Sequence, residues 1–231
     1  MSTIPLRYPA EFPLICVGGS AGAVDAMRQL ARDMPEDFPA PLLLILHRKN
    51  PPVSDAKFLL PDLMRSVSKL EVICPEDGTV VRSGRIYVMP HGTHAIVEDN
   101  QFRLVKEPAD CPWRPSIDVL FKSAARQYRD RVVAVLLSGM LDDGVAGLRA
   151  VTHEGGITVA QSPEDAAKPD LPLNAIMKDH PNYVLPLKDM VKLFCELCRL
   201  PVFSDQEQVV RDAAIAARVD KARLKGTGDS L

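Results

Sequence analysis

Four runs of apolar residues, separated by helical patterns, most constrain what this sequence can fold into. They are PLICVGG (13–19), PLLLILH (41–47), RVVAVLLSGM (131–140) and GITVAQ (156–161). Strands that are apolar at every position, rather than at alternate ones, are typical of a parallel sheet covered by helices on both faces. We therefore predict a single α/β domain with a three-layer, doubly wound, mostly parallel sheet.

Smaller elements fill the space between these runs. KLEVICPE and GRIYVMP read as short strands, and HAIVEDNQFRLV as a small hairpin around Asp99-Asn100. Further helices are predicted at 23–33, 116–128, GVAGLRAVTHEG, NAIMK and LKDMVKLFCELCRL. We predict an N-terminal lead over 1–11, the folded domain over 12–200, and a polar, alanine-rich extension over 201–231. That extension is predicted to form one helix, which is a candidate homodimer contact, followed by a frayed end.

Composition excludes several classes of function. The net charge of −2 gives no electrostatic reason to expect nucleic acid or an anionic membrane as a partner. No apolar stretch approaches 18 residues and the N-terminus has no signal-peptide core, so we expect no membrane insertion and a cytoplasmic protein. Five scattered cysteines do not form a disulfide framework.

The first apolar run leads into the turn GGSAG (18–22), which precedes a predicted helix. This strand–turn–helix context is that of a nucleophile elbow, in which the hydroxyl of Ser20 projects beyond the sheet edge. The N–H of Ala21 lies at the start of the helix and is a candidate oxyanion donor. The turn alone also fits a phosphate cradle or a plain tight turn, although neither G-x-G-x-x-G nor G-x-x-x-x-G-K-S/T is present.

A serine nucleophile needs a base, and His47 is the one histidine of five that closes a buried strand. The carboxyl ends of parallel strands gather at one edge of the sheet, so His47 is expected near Ser20. His91-x-x-His94 has no evident third ligand, and the Cys195-x-x-Cys198 pair lies in an apolar helical pattern. We therefore predict no metal site at either pair.

The third apolar run ends in GMLDDG (139–144), which places two carboxylates where strand meets helix. One of them is expected to cap the helix, and the other to orient the imidazole of the base. Spacing alone does not choose between Asp142 and Asp143. Three strand ends thus offer Ser, His and Asp, and the pattern predicts a soluble serine esterase.

Taken together, these motifs resemble the catalytic domain of CheB-type chemotaxis receptor methylesterases, also called protein-glutamate methylesterases. The resemblance covers about residues 12–195 and rests on VGGSAGAVDAM, LLLILH, GRIYVMPHGTH, WRPSIDVLFKSAA, LLSGMLDDGVAGL and GGITVAQ in this order. It implies the catalytic set Ser20, His47 and Asp143. It further implies oxyanion or cleft residues, namely Ala21, Met140, Arg114, Pro115 and Ser116. No metal and no organic cofactor is implied.

The resemblance also implies a reaction and a partner. The reaction is hydrolysis of glutamate γ-methyl esters on the cytoplasmic helix of a receptor or receptor-like protein, and some members also deamidate glutamine. The family's receiver domain has no counterpart before residue 12, so we expect a stand-alone catalytic domain. Two alternatives stay open, a partner-binding module with weak or no catalysis and an esterase for small esters.

Four departures from the family pattern concern the cleft and its surroundings. Ala23 replaces the second glycine of the serine turn, and Leu141 stands where the family has glycine after Gly-Met. The family's Gly-Met-Pro appears as Asp170-Leu171-Pro172, next to the unusual segment EDAAKPD (164–170). These differences leave open which protein carries the ester.

Overall fold

The computed structural model describes residues 13–47, 59–107 and 113–199. Within these ranges, seven strands form one sheet in which every pairing is parallel, and two further strands form an antiparallel hairpin. The strands are β1 (Leu14–Gly19), β2 (Leu42–Leu46), β3 (Glu71–Ile73), β4 (Arg85–Val88), β5 (His94–Glu98), β6 (Gln101–Val105), β7 (Val132–Leu136), β8 (Ile157–Gln161) and β9 (Tyr183–Leu185). The sheet order is β3-β4-β2-β1-β7-β8-β9, and β5 pairs with β6.

Helices cover both faces of the sheet, as the apolar runs predict. Alternate residues of each central strand point to opposite faces, so that Ile15 and Val17 of β1 join one core cluster while Leu14 and Cys16 join the other. The first cluster includes α1 (Ala23–Asp33), α2 (Leu60–Arg65) and α6 (Leu187–Arg199). The second includes the hairpin, α3 (Ile117–Tyr128), α4 (Val145–His153) and α5 (Asp170–Asp179). The predicted three-layer α/β class is confirmed.

The register of the central strands brings three strand ends together. Gly19 of β1 lies opposite Leu46 of β2, and Gly18 lies opposite Leu136 of β7. The chain leaves β1 on one side to form β2 and returns on the other side to form β7. In sheets of this kind the crevice at such a switch point, beyond the carboxyl ends of the strands, is where ligands bind.

Three features differ from the sequence prediction or refine it. The hairpin turn has positive φ at Asp99 (49°) and Asn100 (60°), the geometry that two-residue hairpin loops favour. Helix α5 begins at Asp170, earlier than the predicted NAIMK, because Pro172 lies in its first turn, where no internal N–H bond is lost. The short elements α2 and β9 were not predicted.

Several expectations lie outside the described residues. These are the N-terminal lead over 1–11, and the extension over 201–231 with its helix and its candidate homodimer contact. In the described part of the chain, no helix has the length and apolar character needed to cross a bilayer.

Candidate active site

The serine turn is held by main-chain hydrogen bonds and by one buried serine. The N–H of Ser20 donates to the carbonyl oxygen of Ser138 at 3.0 Å, and the N–H of Ala23 donates to the carbonyl oxygen of Ser20 at 3.1 Å. The Ser138 hydroxyl donates to the carbonyl oxygen of Ala21 at 2.8 Å. Gly22 has a φ of 78°, and a Cβ there would lie 2.8 Å from Ser138 Oγ, so this position requires glycine.

His47 follows β2 directly beside this turn. Its N–H donates to the carbonyl oxygen of Gly19 at 2.9 Å, which continues the pairing of β1 and β2 by one residue. Its Nδ1 donates to Oδ2 of Asp143 at 2.7 Å, and this leaves Nε2 to accept a proton. Among the described residues, no hydrogen bond joins the Ser20 hydroxyl to His47; such contacts often tighten only when substrate binds.

An aromatic ring covers His47. The ring centroids of Trp113 and His47 lie 4.1 Å apart with an interplanar angle of 46°. Trp113 belongs to the WRPSIDVLF motif, but the sequence gives no reason to place its ring on the imidazole. This contact shields the ring from water on that side, and only 8% of the surface of His47 is exposed.

Asp143 accepts hydrogen bonds from the N-terminus of α3 as well as from His47. Its Oδ1 accepts from the Ser116 hydroxyl at 2.7 Å, and its Oδ2 accepts from the N–H of Ile117 at 2.8 Å. Burial by itself raises the pKa of Asp143, but hydrogen bonds from His47, Ile117 and Ser116 outweigh that effect, and the net pKa lies below the usual value. Asp143 is therefore an anion held at the positive end of a helix.

Asp118, in the first turn of α3, makes the reciprocal contact. Its Oδ1 accepts from the N–H of Gly144 at 2.9 Å and from the N–H of Gly147 at 2.6 Å, both at the start of α4. Burial raises the pKa of Asp118, and the nearby charge of Asp143 raises it further against these hydrogen bonds. Asp118 is not among the site residues predicted from the sequence, although an acidic residue in the first turn of a helix is a recognisable signal.

The structure separates the two adjacent aspartates that spacing could not separate. The side chain of Asp143 is 10% exposed and bonds to His47, whereas that of Asp142 is 64% exposed. Oδ2 of Asp142 pairs with Nζ of Lys178 on α5 at 3.1 Å. Asp143 is thus the carboxylate placed to orient the imidazole.

Two residues near Ser20, Ala21 and Met140, are the candidate oxyanion donors. In residues 13–47, 59–107 and 113–199, neither the N–H of Ala21 nor that of Met140 donates to a protein acceptor. Gly139, which precedes Met140, abuts the serine so closely that a Cβ there would lie 3.1 Å from Ser20 Cβ. Both N–H groups thus remain candidate donors to an oxygen atom bound at the serine.

The segment Arg114-Pro115-Ser116 lies next to this group of residues. The carbonyl oxygen of Arg114 accepts from the N–H of Gly92 at 3.3 Å, and the Arg114–Pro115 peptide bond is cis. Pro115 is buried, and Ser116 provides the hydroxyl that binds Asp143. Ser116 thus contacts a candidate catalytic residue directly.

The unusual EDAAKPD segment is anchored to the same region. The N–H of Lys168 donates to Ser138 Oγ at 2.9 Å, and its carbonyl oxygen accepts from the N–H of Gly139 at 3.0 Å. Nε2 of Gln161 donates to Oδ2 of Asp165 at 2.8 Å, while its Oε1 accepts from the N–H of Ser138 at 2.9 Å. The segment therefore supports both the serine turn and the Gly139-Met140 segment.

The two pairs considered as metal ligands do not come together in a larger set. His94 is fully buried and its Nδ1 accepts from the N–H of Ser116 at 3.3 Å, whereas His91 is exposed. Cys195 and Cys198 lie in α6 as reduced cysteines, and burial raises the pKa of Cys198 to about 12. Within the described ranges, no three His, Cys, Asp or Glu side chains are grouped to hold a metal ion.

The chain is similar in sequence to a known family of proteins. A family model described as CheB methylesterase matches residues 15–194. A protein-glutamate methylesterase/protein-glutamine glutaminase of Anaeromyxobacter dehalogenans is 33% identical over 191 residues, which are 82% of this chain and 54% of that protein. A putative protein of the same name from Leptospira interrogans is 31% identical over 189 residues, 81% of this chain and 95% of that protein. The chain thus spans about half the length of the first relative and nearly all of the second.

The fold has a solved counterpart as well. The crystal structure of the Thermotoga maritima CheB methylesterase catalytic domain superposes with a TM-score of 0.75 at 27% sequence identity. The similarity covers 81% of this chain and 100% of that domain.

Proposed function

The chain belongs to the CheB methylesterase family, and on that premise we propose that it is a protein-glutamate methylesterase that uses Ser20, His47 and Asp143. The observation that carries the proposal is the 2.7 Å hydrogen bond from Nδ1 of His47 to Oδ2 of Asp143, beside the end of β1 where Ser20 lies. The names of two relatives support the choice of ester: one is named a protein-glutamate methylesterase/protein-glutamine glutaminase and the other a putative one.

In the first half of the reaction, Ser20 Oγ attacks the carbonyl carbon of a glutamate γ-methyl ester. Nε2 of His47 takes the hydroxyl proton, and Asp143 stabilises the resulting imidazolium because it is already ionised. The N–H groups of Ala21 and Met140 bind the oxyanion, and one such donor is typically worth about 3–4 kcal/mol. His47 then gives its proton to the departing methoxide, so methanol leaves and an acyl-serine remains.

In the second half, a water molecule replaces methanol. His47 removes a proton from the water, the hydroxide attacks the acyl carbon, and the same two N–H groups bind the oxyanion. Collapse of this intermediate returns the proton to Ser20 and releases the free glutamate side chain. The same steps applied to a glutamine side chain release ammonia in place of methanol, so we include glutamine deamidation in the proposal.

We propose that the ester is carried by a cytoplasmic helix of a chemoreceptor-like protein. One support is the resemblance of the chain's motifs to those of chemotaxis receptor methylesterases. The other is the position of Ser20 at the edge of the sheet, where its neighbours Ala21 and Gly22 are exposed. An exposed nucleophile turn suits an ester presented on another protein better than one enclosed in a deep cavity.

The test is methanol release from a methylated chemoreceptor fragment, measured for the wild type and for Ser20→Ala. We expect release by the wild type and none above background by Ser20→Ala. A fluorophosphonate probe should label the wild type but not Ser20→Ala. Ser66→Ala, which removes a serine at the end of α2, is the matched control and should still be labelled. A folded wild-type protein that neither releases methanol nor takes up the probe would overturn the proposal.

A further inference from the structure

Leu141 has a backbone conformation that leucine rarely adopts. Its φ is 66°, in the left-handed region, and it lies in the segment that joins β7 to α4. A side chain in this region places its Cβ against the backbone, which is why glycine usually occupies such positions. Leu141 is 57% exposed, so its side chain is packed only in part.

A hydrogen bond from the neighbouring helix binds this residue. Nδ2 of Asn174 on α5 donates to the carbonyl oxygen of Leu141 at 2.7 Å. One helical turn further on, Lys178 pairs with Asp142, the next residue of the segment. At the start of the same helix, the N–H of Leu171 donates to the carbonyl oxygen of Gly139 at 3.0 Å. Three successive contacts thus fasten the segment along α5.

The conformation of Leu141 sets the relation between two parts of the candidate site. Met140, a candidate oxyanion donor, precedes it and follows Gly139, which abuts Ser20, while Asp143 lies two residues later and binds His47. Rotation about the φ bond of Leu141 swings one of these parts relative to the other. A leucine with negative φ therefore needs compensating changes in neighbouring backbone torsions to keep both Met140 and Asp143 where they now lie.

We propose that Asn174 is a positioning residue for the esterase reaction. Its side-chain amide holds Leu141 in the left-handed conformation, which keeps the Met140 N–H at Ser20 while Asp143 stays bound to His47. Backbone strain that is maintained by the surrounding structure is a known feature of active sites. The role in catalysis rests on the proposed function, but the hold on the backbone does not.

A double-mutant cycle tests the proposal with methyl-ester hydrolysis as the readout. Asn174→Ala should lower kcat roughly tenfold. The change in KM should be much smaller, because Asn174 acts through Leu141 on the positions of Met140 and Asp143 and not on ester binding. In a Leu141→Gly background the same change should alter kcat less than about twofold, because glycine adopts positive φ without help. Asn174→Asp, which keeps the shape but loses the N–H donor, should behave as Asn174→Ala does. Leu173→Ala, an exposed neighbour on α5, is the matched control and should leave kcat unchanged.

A second measurement reads the backbone without any need for activity. NMR coupling constants report the φ of Leu141, and we expect positive φ in the wild type and its loss in Asn174→Ala. Retention of positive φ in Asn174→Ala would overturn the proposal, as would an equal loss of kcat in the wild-type and Leu141→Gly backgrounds. If the wild type hydrolyses no ester but Asn174→Ala still shifts φ, the proposed function has failed and the positioning contact stands.

Discussion

The N-termini of α3 and α4 face each other, and each receives a carboxylate from the other's segment. Asp143, just before α4, binds the first turn of α3, and Asp118, in the first turn of α3, binds the first turn of α4. Yet the pKa of Asp143 is lowered and that of Asp118 is raised. Burial is the largest influence on both groups and raises both pKa values, so the difference in pKa comes from their hydrogen-bond and charge partners.

His47 is the partner that contributes most to the difference in pKa between Asp143 and Asp118. Asp143 has the imidazole and the Ser116 hydroxyl in addition to main-chain N–H groups, whereas Asp118 has the two glycine N–H groups and the ion pair with Lys122 at 3.7 Å. The negative charge of Asp143 also bears on Asp118. At Asp118, the N–H groups of a helix N-terminus do not offset the effect of burial on the pKa. At Asp143, the added hydrogen bonds from His47 and Ser116 do.

The largest expected effect concerns His47, the residue to which Asp143 is hydrogen-bonded. His47→Ala should lower kcat by about a millionfold, as loss of the histidine of a catalytic triad does. If Asp143 works only through the imidazole, adding Asp143→Asn to His47→Ala should lower kcat no further. Single-turnover kinetics on a methyl-ester substrate measure both. A further drop in the double variant would show that Asp143 has a separate catalytic effect.

A direct comparison of the two carboxylates gives the next effect in size. Asp143→Asn should lower kcat by about ten-thousandfold, because an amide no longer holds the required tautomer of the histidine. Asp118→Asn should lower it by no more than about tenfold, since Asp118 touches helix α4 rather than the imidazole. Asp142→Asn is the matched control, because Asp142 is the exposed neighbour paired with Lys178. Equal losses at 118 and 143 would contradict the assignment of the acid.

Removal of a single donor to Asp143 should have a smaller effect. Ser116→Ala deletes the hydroxyl that binds Oδ1 at 2.7 Å, and a hydrogen bond to a charged group typically contributes about 1.5–3 kcal/mol. We expect a loss of that size in the free energy of unfolding at neutral pH, measured by urea denaturation. In Asp143→Asn the same substitution should cost less, because the acceptor is no longer charged.

The smallest effects concern the dependence of stability on pH. A carboxyl with a lowered folded pKa stabilises the fold above its unfolded pKa of about 3.9 and loses this contribution as pH falls through the folded value. The destabilisation of Asp143→Asn relative to wild type should therefore shrink below about pH 4. Asp118 has the opposite sign, since its raised pKa costs stability only once the group ionises.

For Asp118→Asn, the wild type should accordingly gain stability relative to the variant as pH falls from neutrality to about 3.9. A tenfold change in the acid dissociation constant between the folded and unfolded states corresponds to about 1.4 kcal/mol, which urea titrations at several pH values can measure. Slopes of the same sign for the two variants would remove the contrast between the two helix ends.

The parts of the fold that the sequence predicts are those with strong local patterns. The bounds predicted for helix 23–33 agree with α1, and the apolar runs agree with β1, β2, β7 and β8 to within a few residues at their ends. The short elements α2 and β9 span six and three residues, too few for a hydrophobic period to develop.

In the candidate site, too, the residues that the sequence predicts are those that follow strong local patterns. Ser20 and His47 follow buried strands, so parallel pairing of those strands is enough to bring them to one edge. The choice of Asp143 over Asp142, and the roles seen for Asp118 and Trp113, depend on how α3 packs against α4 and on where one ring lies. Those are contacts between segments distant in the chain, and spacing along the sequence carries no signal for them.

The contact between Trp113 and His47 has an optical consequence. Trp113 is the only tryptophan in the chain, and its ring lies against the imidazole. Indole emission is sensitive to a neighbouring imidazole, so the tryptophan fluorescence of the whole protein originates at the candidate site. Binding of an ester, acylation of Ser20 or displacement of His47 can thus be followed by stopped-flow spectroscopy on the unlabelled protein.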